Sequence, residues 1–286
     1  MARRVPLSVR SGAAALGLGS LAVVAAPGAA PAFDIDGFLP SAGQGDLAIS
    51  HTFEAYDEFW VGDTEVEDPG VGRVETGSLS LWMQYGLTDD VALLGNVAYV
   101  DAASDGAGGF AANGLQDRAV MLKARLKSIP QGRAQHSFVA GFGVSSPASG
   151  YEANSPVDLG DGTTDVLLRL VWLWQGPSVY FSQQLGYDIR DEDAPDGIPL
   201  HSALGVTVRR VTAIAMYSGH LADGGTDIGD PGFTFPSNGD EYHRFGAKLY
   251  TRLSERTGAS IAAFTTVDGR NAGKATGFSA GVNFGI

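Results

Sequence analysis

Apolar and polar residues alternate with period two along most of this chain. In "DRAVMLKARLKS", residues 117 to 128, Val120, Leu122, Ala124 and Leu126 fall on one side of an extended strand and Lys123, Arg125 and Lys127 on the other. A helix would scatter those cations around its circumference. "DVLLRLVWLW" likewise sets Val166, Leu168, Leu170, Trp172 and Trp174 against Asp165 and Arg169. In "TGFSAGVNFGI", Thr276, Phe278, Ala280, Val282, Phe284 and Ile286 oppose Gly277, Ser279, Gly281, Asn283 and Gly285. Segments of this kind predict strands near 46–61, 72–86, 91–100, 117–127, 136–145, 163–174, 178–189, 200–208, 211–221, 241–252, 258–267 and 275–286.

The connections sharpen the prediction. "GLTDD", "SIPQGRAQ", "WQGP", Arg209-Arg210 and "LSERT" are short, and longer, Gly- and Asp-rich stretches alternate with them. That rhythm points to an all-β, antiparallel, up-and-down transmembrane barrel of about twelve strands, with short periplasmic turns and longer extracellular loops. A Greek-key sandwich has no reason to alternate so regularly. One strand face then meets lipid, and a cation placed there near the midplane costs roughly 2 to 4 kcal/mol. Tyr85, Trp172, Trp174 and Tyr250 beside short turns, and Phe59, Tyr99 and Tyr187 near long loops, read as two interfacial aromatic girdles.

Composition agrees with a sheet protein, since there are 40 glycines and only 18% charged residues. Arg3, Arg4 and Arg10 precede an uncharged stretch from Gly12 to Ala26, and "APA" at Ala30 to Ala32 supplies small residues for cleavage. Residues 1–32 therefore read as a signal peptide, residues 33–45 as a periplasmic or plug segment, and residues 46–286 as the barrel. The formal net charge of −13 argues against a nucleic-acid partner. The absence of cysteine excludes disulfides and thiol chemistry.

The stretches "GQGDLAISHTFEAY", "MQYGLTDDVALLGNVAYV", "GLQDRAVMLKARL", "LGDGTTDVLLRLVW" and "GFSAGVNFGI" resemble the outer-membrane transporters named after the meta-pathway of phenol degradation, within the outer-membrane β-barrel superfamily. The resemblance spans nearly all of the chain beyond the leader. It implies passage of small solutes, aromatic or hydrophobic compounds among them, across the outer membrane of a Gram-negative bacterium, and it brings no catalytic residues. Barrels of this superfamily usually end in an aromatic residue read by the barrel-assembly machinery, whereas this chain ends in Ile286 with Phe284 two positions earlier. The alternative class is a structural or adhesion barrel with an occluded lumen, its loops contacting lipopolysaccharide or surfaces.

Parity assigns Glu54, Lys123, Arg125, Lys127, Arg169, Lys248 and Arg252 to the lumen, and the apolar residues of "FDIDGFLP", namely Phe33, Ile35, Phe38 and Leu39, to a plug at the periplasmic mouth. Catalytic geometry is not expected: Ser218 and His220 lie two apart on one strand with Asp223 and Asp227 close in sequence, but the order is the reverse of the His-x-Ser of an outer-membrane phospholipase and no downstream Asn motif follows. Asp-Gly runs in the loops are explained by turn chemistry, so neither metal nor cofactor is expected. The partners expected are outer-membrane lipid and lipopolysaccharide, the assembly machinery and a small-molecule solute.

Overall fold

A computed structural model describes residues 33–67, 70–153, 155, 157, 159–160, 162–191 and 194–286. The leader assigned to residues 1–32 lies outside the described residues. Those described form strands and connections without a helix. In chain order the strands are β1 (Gly45–Tyr56), β2 (Glu58–Val61), β3 (Thr64–Glu67), β4 (Val74–Gly86), β5 (Val91–Ser104), β6 (Ala111–Leu115), β7 (Asp117–Gln131) and β8 (Ala134–Pro147). They continue as β9 (Asp165–Gln175), β10 (Val179–Ile189), β11 (Asp196–Val208), β12 (Val211–Asp223), β13 (Glu241–Arg252), β14 (Thr257–Arg270) and β15 (Thr276–Gly285).

Twelve of these close into one antiparallel ring. From β7 to β15 each strand pairs with its sequence neighbour, β15 pairs with β1, β1 with β4, β4 with β5, and β5 with β7. Closure leaves no edge, which is the condition for a sheet surrounded by hydrocarbon. The short turns gather at one end; the tightest is Arg209-Arg210, where Arg209 adopts φ 58° to reverse the chain. Loops gather at the other end, where β2 and β3 form a separate hairpin and β6 extends the β5 edge.

The two faces follow the alternation. Leu79, Leu122, Leu168, Leu170, Phe278 and Val282 are exposed on the outside, while Ser78, Lys123, Leu167, Arg169, Leu173 and Ser279 are buried within. Trp172, Tyr85 and Tyr99 stand exposed on the outer surface. Tyr250 does not join them: it packs inward against the cluster of Phe38, Leu173, Tyr180, Ala203 and Ile214.

One inferred orientation is corrected by a β-bulge. Arg125 pairs with Val139, but Lys127 pairs with Phe138, so the register shifts at Leu126. The extra residue inverts the alternation, and Lys127 shares the outward face of Phe138 at the short-turn end rather than entering the lumen. An outward lysine is tolerated there because it reaches the interface with water.

The exposed outer positions generate a test. Leu122→Arg, Leu168→Arg or Val282→Arg should each weaken folding into bilayers by roughly 2 to 4 kcal/mol, whereas Lys127→Leu at the rim should change it by less than about 1 kcal/mol. Loss of the heat-modifiable band on electrophoresis would report the first three; equal effects at all four sites would show the faces to be misassigned.

Candidate functional site in the barrel lumen

The interior is occupied by the chain's own N-terminal segment. Gly43 N–H donates to Gly86 O (2.9 Å) and Ala42 N–H to Asp89 (2.9 Å), which fixes the segment at the short-turn end of the barrel. From there it runs upward. Phe38 meets Tyr180 edge-on with ring centroids 5.1 Å apart, beside Leu173, Ala203 and Ile214. At Gly37 the backbone lies so close to the wall that a Cβ there would stand 2.4 Å from the Leu173 Cβ. Phe33 and Ile35 sink among Trp82, Leu94, Met121, Val139, Leu167 and Val171.

Apolar and acidic residues alternate in the segment, and the acidic ones find the wall's polar groups. Lys123 Nζ, fully buried, donates to Asp36 Oδ1 (3.2 Å), to the Asp36 carbonyl (3.2 Å), to the Phe38 carbonyl (2.5 Å) and to Gln84 Oε1 (2.8 Å). Gln84 in turn donates to Phe38 O (3.3 Å). Gln184 accepts from Ile35 N–H and donates to Asp34, both at 2.6 Å. Arg169 donates Nε to Phe33 O (3.2 Å) and holds Asp188 through both terminal nitrogens. Lys123 with Asp36 and Arg169 with Asp188 are thus paired and hydrogen-bonded, the condition under which a buried charge is tolerated.

The remaining inferred lumen positions divide by height. Glu54 is buried with its carboxylate 3.6 Å from Arg244, and Lys248 is buried on the inner face of β13. Arg125 pairs with Asp90 at 3.0 Å near the short-turn rim, and Arg252 is exposed at that rim. Phe33, Ile35 and Phe38 are buried in the lumen and Leu39 is half-buried beside them. Gln84, Gln184 and His201 were not anticipated as holders of the segment. The available signal was the alternation of Phe33 and Ile35 with Asp34 and Asp36, which matches a wall offering both apolar and basic side chains.

Ser218 meets His201 of β11 across the sheet, not His220. The Ser218 hydroxyl lies 3.0 Å and Asp34 Oδ2 3.5 Å from the same nitrogen, His201 Nδ1. A nucleophile relay needs the two on opposite ring nitrogens, so this trio is a binding contact for the segment, with no relay geometry.

The loop end is also closed down. Val157 and Leu159, between β8 and β9, pack on the inward Val74, Ala98, Val100 and Ala102. Asn271, at φ 50°, ties three loops: its Oδ1 accepts from Gly62 N–H (2.9 Å) and Ile228 N–H (3.0 Å), and its Nδ2 donates to Asp227 (2.9 Å) and Gly239 O (3.1 Å). Lys274 bridges Glu58 and Glu65 of the β2–β3 hairpin. Hydrogen bonds from Asn271 and Arg270 hold the Asp227 carboxyl below its ordinary range.

Comparison with known proteins follows this geometry. The model of the family described as "Putative MetA-pathway of phenol degradation" matches residues 46–281. An outer membrane channel from Pseudomonas putida F1 superposes with a TM-score of 0.72 at 11% identity, covering 87% of this chain and 97% of that one. The NanC porin superposes with a TM-score of 0.52 at 10% identity, covering 83% of this chain and 98% of that one. At these identities the likeness is one of fold. No curated protein matches the chain.

Two outcomes are expected. Lys123→Met strands Asp36 and two carbonyls, and should lower unfolding stability by about 3 to 5 kcal/mol in a denaturant titration; a loss under about 1 kcal/mol would remove its anchoring role. Because the Asp227 pKa is depressed, its contribution is present above the ordinary carboxylate pKa and is lost as pH falls through the lower folded value. Hydrogen exchange at Asp227–Ile228 and at Asn271 should therefore accelerate only below the ordinary carboxylate range, and Asp227→Asn should abolish that pH step.

Proposed function

This chain belongs to the MetA-pathway phenol-degradation family of outer-membrane barrels, and from that premise we propose that it is a channel for small solutes whose bore is set by its own N-terminal segment. The observation that carries this reading is the manner in which the segment is held. Lys123, Gln84, Gln184, Arg169 and His201 grip it from the wall, while the ring itself closes through strand pairing alone. Paired buried charges are poor stabilisers compared with apolar packing of the same volume. They suit a segment that must be placed accurately and can be shifted.

The chemistry along the segment supports small aromatic or hydrophobic solutes as cargo. Phe33, Ile35, Phe38, Met121, Leu173 and Tyr180 form an apolar path interrupted by fixed polar groups, the usual composition of a site for a small organic molecule. Arg125 and Arg252 lie at the short-turn mouth and bias which charged solutes approach from that side. A second reading, a structural or adhesion barrel whose loops meet lipopolysaccharide, draws on the loop cover organised by Asn271 and on Val157 and Leu159 in the mouth.

Reconstitution separates the two. Deletion of residues 33–42, or Gly37→Val, which drives a side chain into Leu173, should raise bilayer conductance and uptake of small aromatic solutes by about tenfold without unfolding the barrel. Reversal of Arg125 and Arg252 to Glu should shift ion selectivity toward cations. Closed, unselective behaviour in all of these forms would establish the structural barrel instead.

A further inference from the structure

The outer surface is not uniform at the short-turn end. Between the β7–β8 turn and the β9–β10 turn lies a groove of about 430 Å³, lined by Gln131, Arg133, Trp174, Pro177, Ser178 and Val179 among others. It belongs to the outside of the barrel, because Leu173 packs in the lumen and the next residue, Trp174, points the other way. The Trp174 ring folds down over the β9–β10 turn, where a Cβ added to Gly176 would stand 3.5 Å from its Cη2. The groove therefore has an aromatic side.

Its polar side is set by a hydrogen-bond relay. Trp172 Nε1–H donates to His136 Nδ1 (3.1 Å), and the two rings stack with centroids 5.9 Å apart and planes 6° from parallel. An indole nitrogen only donates, so the imidazole proton sits on Nε2, which donates to Gln131 Oε1 at 2.8 Å. With its carbonyl engaged, Gln131 brings amide N–H donors to the lining; Arg133 adds a guanidinium and Ser178 a hydroxyl, and no carboxylate lines the groove. Lys127 faces outward in the row of Phe138 and Trp172. Arg133 and Lys127 are both exposed, and neither pairs with a carboxylate among the described residues. Arg209, Arg210, Arg252 and Arg256 stand exposed on the same rim against Asp89, Asp90 and Glu255, although the chain as a whole carries −13. The short-turn rim is thus basic on an acidic protein.

We propose that this groove is a binding site for an anionic phospholipid of the periplasmic leaflet. The headgroup phosphate is held by Arg133, Gln131 and Ser178, with Lys127 adding attraction from the neighbouring row. A donor set without a carboxylate selects an anion, and phosphate answers several N–H and O–H donors at once. What selects a lipid over a soluble anion is the surface above the groove. Trp172, Leu170 and Leu168 continue outward from Trp174 along β9, all exposed and apolar or amphipathic. From Trp174 to Leu168 that column is about 20 Å long at strand rise, or about 15 Å along the membrane normal once the strand is tilted. One leaflet contributes half of a hydrocarbon core of about 30 Å, so an acyl chain runs the length of the column while its phosphate rests in the groove. Lipopolysaccharide lies in the opposite leaflet, at the loop end.

Tryptophan fluorescence reads this site directly. Of the four tryptophans Trp60 and Trp82 are buried, so quenching by lipids brominated on their acyl chains reports on Trp172 and Trp174. In the intact protein, folded in bilayers and checked by heat-modifiability, brominated phosphatidylglycerol should compete for the quenching site about fivefold better than brominated phosphatidylcholine, the preference that one cation near an anionic surface supplies. Arg133→Gln combined with Lys127→Gln should bring the two lipids to parity, whereas Arg256→Gln, on a different turn, should leave the preference in place. Parity in the intact protein, or a preference that survives the double substitution, overturns the site. A preference lowered as much by Arg256→Gln as by Arg133→Gln would show a diffuse effect of rim charge and overturns it as well.

Discussion

Hydrocarbon offers no hydrogen bonds to a backbone, and this constraint organises everything else in the molecule. Each strand must pair on both sides, so the sheet has to curve until its first and last members meet. Here that seam is β1 against β15, paired from Asp46 with Gly285 to Ala55 with Thr276. Once the ring exists, every strand has one face on lipid and one in the lumen, and the strict alternation of the sequence becomes compulsory. Glycine-rich strands such as β15 are tolerated because the ladder, and not side-chain packing, holds the ring together.

The lumen is governed by a different rule. No lipid enters it, so polar and charged side chains collect there and must be satisfied by one another, by water or by chain. The protein uses all of the chain-derived means available. A segment from the N-terminus supplies carbonyls and carboxylates to Lys123 and Arg169 in the lower half, and the connection between β8 and β9 supplies Val157 and Leu159 above. Asn271 then gathers the surrounding loops through hydrogen bonds that reach the β2–β3 turn and the connection between β12 and β13. On β15, β1 and β4 the segment meets Ala48 and Trp82 by apolar packing and Gln84 by a hydrogen bond.

The twelve ring strands were legible because period-two alternation is enforced by two solvents of opposite character, and few other structures impose it so uniformly. What escaped the sequence has local causes. The bulge at Leu126 adds one residue without leaving a compositional mark, so Lys127 looked like its neighbours Lys123 and Arg125. The hairpin of β2 and β3 and the short β6 lie in loops, where no lipid dictates a pattern. The apolar residues of residues 33–39 could be read as a segment seeking cover, but their acidic neighbours speak for particular partners only once the wall is folded. Which basic residue serves Asp36 and which serves Asp188 depends on strand register across the ring, and a linear reading does not contain it.

The segment enters the lumen at the short-turn end and is continuous with β1. It makes no ladder pairing with the ring strands. What holds it in the bore is a set of side-chain bonds from Lys123, Gln84, Gln184 and Arg169, none of which belongs to the strand ladder that closes the ring. Closure of the ring and occupation of its interior therefore rest on two distinct sets of bonds, one of backbone ladders and one of side chains reaching inward.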